Sequence, residues 1–175
     1  MQDWLSYAEK HGIKLLDNGP CQFCGAPVLN GVAECHQNVN HIAELLDYSD
    51  PANYTTRFLS VDALALQHCE VHGPWNNYIH FARLVLIFEK SVEWNYSLTP
   101  ILSNAVNDYK RNRSAVRTPP PKGERGEITT ADILTASSPE ECRTTVKEWA
   151  YSVYEAFYGY REDIEPIVAN FLLKR

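Results

Sequence analysis

Cys21-Gln22-Phe23-Cys24-Gly25 is the segment of this 175-residue chain whose residue types and spacing speak most directly of chemistry. Two thiols two residues apart can bring both sulfurs to one side of a single turn. A pair of thiolates is half of the tetrahedral donor set that suits zinc. Gly25 can take a positive φ, which lets the backbone double back behind the second sulfur. Further donors follow at Cys35, His36, His68, Cys69, His72 and His80. A redox reading would need a strand before the motif and a helix opening on it. Asn18-Gly19-Pro20 and Gly25-Ala26-Pro27 stand there instead, so the spacing points to zinc.

The remaining donors must come from elements that return to this turn. Apolar residues at helical spacing predict helices over about 3–11, 33–46, 55–69, 76–94, 99–109 and 140–158. A short helix is expected near Asp132 and a last one over about 163–173. Ser138-Pro139-Glu140-Glu141 is a strong helix start, with a capping serine and proline at the first position. With neither a repeat nor a convincing strand pair, the expected fold is all-α: a compact helical bundle with an N-terminal Cys-x-x-Cys zinc knuckle. An antiparallel hairpin of 33–46 with 55–69 would place Cys35 near His68, and the next helix would bring His80 back to the same end. Cys21, Cys24, Cys35, His68 and His80 are therefore the candidate metal ligands, one more than zinc requires. Cys69, His36 and His72 are their rivals. Taken singly, His11, His36, His41 and His72 read as surface or capping residues.

These residues also carry a resemblance. Cys21-x-x-Cys24-Gly25, Cys35, Val61-Asp62-Ala63-x-Ala65-x-Gln67-His68 and His80 are similar to the bacterial family called domain of unknown function 5946. Pro120-Pro121, Thr130-x-Asp132-Ile133-Leu134 and Trp149-Ala150-x-Ser152-Val153-x-x-Ala156-Phe157 extend the likeness over about residues 20–160. The resemblance implies a helical fold with a metal site and no settled activity. It adds Asp62 and Gln67 as residues close to the metal, Asp62 being suited to hold the N–H of a ligating histidine. The chain departs from the family pattern at Cys69, where a proline is usual, and at His36, where an aromatic is usual.

Composition bounds the rest. The chain is long enough for one domain. It divides by pattern into a metal-stapled helical core (1–110), a basic Pro/Gly-rich loop or linker (111–127) and a C-terminal helical pair (128–175) packed on that core. No apolar run is long enough to cross a membrane. The N-terminus lacks a signal-peptide pattern, so the cytosol is the expected compartment. The net charge is −6, yet Lys110, Arg111, Arg113, Arg117, Lys122 and Arg125 oppose only Glu124 between residues 110 and 125. That loop could grip an acidic or phosphate-bearing ligand, while the acidic remainder disfavours nucleic acid. Tyr151, Tyr154 and Tyr158 make a second aromatic face on the 140–158 helix, suited to a protein partner, a homodimer contact or a pocket wall. There is no nucleophile elbow, no His-Glu-x-x-His and no phosphate-binding loop. The expected function is a binding or regulatory module with structural zinc. The runner-up is a helical metalloenzyme acting on a thiol or by hydrolysis through an open coordination position, and nucleic-acid binding through 110–125 stands third.

Overall fold

The computed structural model describes residues 4–111 and 119–175; Arg113 and Arg117 of the basic loop lie outside them. All regular structure among the described residues is helical, apart from one isolated parallel bridge between Gly19 and Asn30. The helices are α1 (Trp4–Lys10), α2 (Gly31–Asn38), α3 (Asn40–Leu45), α4 (Tyr54–Gln67), α5 (Pro74–Phe88), α6 (Leu98–Lys110), α7 (Thr130–Ile133), α8 (Pro139–Phe157) and α9 (Arg161–Lys174). Short 3-10 turns cover Pro51–Asn53, Cys69–Val71 and Tyr158–Tyr160. The all-α expectation holds. No helix among the described residues is long and apolar enough to cross a membrane.

Two differences from the expected helices have local causes. The periodicity expected over 33–46 belongs to two helices that part at Val39. The helix expected to reach residue 94 ends at Phe88, because Ser91 turns left-handed at φ 52°. Val92 and Trp94 remain buried, but on irregular chain, where Trp94 stacks on Phe171 with ring centroids 5.5 Å apart. Their apolar character prolonged the helical pattern without prolonging the helix.

Helix α4 is central and packs mainly against α8 and α5, while α6 and α9 pair behind α5. The main core accordingly draws on α3 to α9, with Leu66, Leu84, Leu102, Trp149 and Ile167 fully enclosed. Tyr154 joins its edge and donates to Glu89 at 3.0 Å, whereas Tyr151 and Tyr158 stay largely exposed. A second, smaller core gathers Ala8, Phe23, Ala26, Val28, Val32 and Val71 around the three cysteines at 21, 24 and 35. Helix α2 packs against α7 rather than lying along α4 as a hairpin partner. The 3-10 turn Cys69–Val71 meets α1, and this turn, directly after His68, connects the two cores.

Candidate metal centre

The Cys-x-x-Cys turn is built by backbone hydrogen bonds. Cys21 N–H donates to Ala26 O at 3.0 Å, and Gly25 N–H to Cys21 O at 2.9 Å. Gly25 takes φ 78°, as the sequence reading expects. Helix α2 then begins at a point where only glycine fits. Gly31 has φ 58°, and a Cβ there would lie 2.0 Å from Leu16 O. The Glu34 carboxylate accepts from the N–H groups of Leu29 and Asn30, at 3.0 and 2.8 Å, and clamps the start of the helix. This places Cys35 in the middle of α2, facing the turn.

His68 closes α4. Its backbone N–H and its ring Nδ1 both reach Leu64 O, the ring nitrogen at 2.7 Å. A carbonyl only accepts, so Nδ1 carries a proton and Nε2 is the nitrogen turned to the sulfurs. Nε2 lies 3.3 Å from Cys21 Sγ and 3.4 Å from Cys35 Sγ, and Cys24 Sγ lies 3.5 Å from Cys35 Sγ. The four donor atoms all fall within 4.8 Å of one another, every one of the four residues is buried, and no cysteine is in a disulfide. A tetrahedral zinc with sulfur at about 2.3 Å and nitrogen at about 2.0 Å has edges of roughly 3.5–3.8 Å. The close contacts match such edges, so this Cys3His group could hold a metal ion.

The protonation pattern of the metal-free group follows from the same contacts. Hydrogen bonds from Cys24 and Cys35 draw the Cys21 thiol well below the usual thiol range. The Cys35 thiol goes the other way, raised by its bonds to Cys21 and Cys24 and then by burial. Burial pulls His68 down, but the Cys21 and Cys24 sulfurs outweigh it and raise the ring to about 9. One thiolate beside one imidazolium is the balanced state of this cluster without a cation. A divalent ion at its centre displaces those protons and favours the anionic form of each thiol.

The other predicted residues are placed elsewhere. His80 does not join the group: its Nδ1 bonds Asp62 Oδ1 at 2.7 Å. Asp62 is fully buried and is gripped by Arg83 through Nε at 2.7 Å and through a second short contact. Asp62 therefore holds His80 and Arg83, and it is the Leu64 carbonyl that orients His68. The pairing of α4 with α5 side by side makes this ion pair and takes His80 out of reach of the sulfurs. Gln67 acts at one remove. Its amide donates to the carbonyls of Arg125 and Ile128, at 3.2 and 2.8 Å, and its oxygen accepts from Trp149 Nε1 at 2.9 Å. This pins the strand of chain that leads into α7. Cys69 lies outside the group, with burial pushing its thiol up to about 12. His36 stacks on Trp4 with centroids 4.2 Å apart, and burial lowers it to about 3. His72 lines a cavity beyond.

Thr130 is the neighbour that the reading of donors passed over. Its hydroxyl lies 3.0 Å from Cys35 Sγ, held there by the capping box of Thr129 and Asp132 that starts α7. The basic loop is also partly structural. Arg125 is buried and forks onto Glu70 at 2.7 Å through each of two nitrogens, and it bonds Pro120 O and Gln67 O as well. Lys122 sits over the Phe23 ring at 4.9 Å. These contacts dock the loop on the cysteine turn.

A family model described as "Family of unknown function (DUF5946)" matches residues 19–158. The matched span contains all four donors together with Thr130 and Trp149. No curated protein and no solved structure matches the chain.

Proposed function

The chain belongs to the family of unknown function DUF5946, and from that premise we propose that it is a binding or regulatory module whose Cys3His group holds a structural zinc ion. The observation that carries this reading is closure: four buried protein donors surround one point. Structural zinc sites fill all four positions with side chains, whereas catalytic sites keep one for water. Three sulfurs and an imidazole match the ion's preference for thiolate and nitrogen. The enzyme reading needs an open position, whereas His68 supplies a fourth protein donor here and His80 is engaged by Asp62 instead. Nucleic-acid binding loses Arg125 as a surface cation, since it is spent on Glu70.

Elemental analysis of protein purified without added metal tests the reading. One zinc per chain is expected, with X-ray absorption showing three sulfurs and one nitrogen. Cys35→Ser is expected to lose the metal and to lower the melting temperature. Metal-free protein as isolated, or a Cys21→Ser variant that melts like the parent, would sink it.

A further inference from the structure

A cavity of about 310 Å³ lies where α1, the 3-10 turn Cys69–Val71, the start of α5, the end of α8 and the start of α9 meet. That volume is at the low end for small-molecule sites, which are mostly apolar with a few placed polar groups. Aromatic rings form much of this wall: Tyr7, Tyr78, Phe81, Phe157 and Tyr160. Rings so placed suit a flat apolar body, which they cover by stacking or by edge contact.

Two side chains of the wall carry a polar atom with no hydrogen-bond partner among the described residues. Asn77 Nδ2 donates to Cys69 O at 3.2 Å, and a carbonyl only accepts, so Oδ1 is left as the amide's acceptor. That Oδ1 is buried and unbonded, and so is His72 Nε2. Burial first, then the charges of His80 and His68, pushes the His72 ring down to about 3, so the imidazole is uncharged at neutral pH. A buried polar group left unmet is costly, and each one in a folded protein calls for an explanation. Both side chains border the cavity, so a molecule seated there meets them after a small turn of either one. Neither an amide oxygen nor a neutral imidazole carries the full charge that a buried ion needs as its counterpart. The carboxylates of the wall have partners already: Arg125 forks onto Glu70, and Asp163 is not free.

We infer that this cavity binds a small uncharged aromatic molecule bearing a hydroxyl or amide hydrogen-bond donor. The rings cover the body, Asn77 Oδ1 accepts the donated hydrogen, and the neutral His72 Nε2 supplies a second polar contact. The inference stands independently of the metal reading, because none of the four cluster donors lines the cavity.

Calorimetric titration of the full chain with four probes of similar shape tests it: 4-ethylphenol, its methyl ether, 4-ethylbenzoate and 4-ethylbenzylammonium. The phenol is expected to bind about tenfold more tightly than the ether, the worth of one good hydrogen bond, and more tightly than either ion. Asn77→Leu is expected to remove most of the preference for phenol over ether. His72→Phe is expected to weaken phenol binding without lowering the melting temperature, because an apolar ring replaces a polar atom that has no bond to lose. A purely structural histidine would give the reverse pattern. Equal binding of phenol and ether would make the cavity a plain apolar crevice and overturn the inference. So would tighter binding of either ion, no heat from any probe at millimolar concentration, or unchanged phenol binding in both folded variants. Should Asn77→Leu fail to fold for want of its bond to Cys69 O, the four probes on the parent protein and on His72→Phe decide.

Discussion

Asp62 is fully enclosed between α4 and α5, and its carboxylate is shared by the Arg83 guanidinium and the His80 ring. Arg83 in turn lies over the rings of Phe58 and Trp94, at 4.6 and 5.3 Å. Every charge in this network depends on its partner, since the surrounding core has little else to offer an ion. Breaking such a pair by removing one member strands the other charge in the interior, at a cost of about 3–5 kcal/mol. Replacing both members by apolar residues of similar size removes the stranded charge as well as the bond. Arg83→Met is therefore expected to lower unfolding stability by that amount in urea titrations, and Asp62→Leu to do the same. The double variant should recover most of the loss. Simple addition of the two single effects would refute the coupling. Metal content should stay at the parent level in all three, because neither Asp62, Arg83 nor His80 is among the cluster donors.

At the scale of elements, the position of Cys35 depends on how α2 begins. Gly31 holds a left-handed φ at the point where Leu16 O approaches most closely. An alanine there meets a backbone oxygen that has no flexible side chain to yield, and left-handed backbone alone costs an L-residue roughly 1–2 kcal/mol. Gly31→Ala should thus displace the first turn of α2 and carry the Cys35 sulfur out of register with Cys21 and Cys24. The expected readout is faster loss of metal to a chelator, with a fall of several degrees in melting temperature. Gly159→Ala, where nothing lies within 4 Å of the new Cβ, is the control and should change neither. Equal chelation rates in the two variants would show that α2's start does not set the site. The same contrast explains what the amino-acid order made legible. The Cys21–Cys24 pair is a local spacing, and the nearness of Cys35 to His68 needed only short connections between helices. The His80 expectation failed because its fate depends on Arg83 and Asp62 meeting across α4 and α5, a register that periodicity does not specify. Thr130 stood in the sequence only within the downstream family motif, and nothing there ties it to Cys35, 95 residues away. The cavity was equally hidden, being assembled from segments as distant as Tyr7 and Ile164.

On the scale of the whole molecule, the protein has two cores of unequal strength. The helical core encloses large side chains from α3 to α9. The smaller one is composed mostly of alanine, valine and cysteine around Phe23, and the chain from Ile13 to Asn30 that wraps it has no helix of its own. Ordering irregular chain costs about 1–2 kcal/mol per residue in backbone entropy. A few small buried side chains cannot offset that over such a length, which is the situation in which small folding units rely on metals or disulfides. No disulfide is present, so the Cys3His group, with the ion proposed for it, is the remaining candidate for a staple. Stripping the metal with a chelator is expected to free residues 13–35 while α4, α5, α8 and α9 persist. Hydrogen exchange should show protection lost across that segment and kept in the main core, with most of the far-ultraviolet helical signal retained. Thermal melting should change from one transition to two. Uniform loss of protection through both cores would instead make the metal centre part of a single cooperative unit, and full protection of 13–35 without metal would show that the small core holds by packing alone.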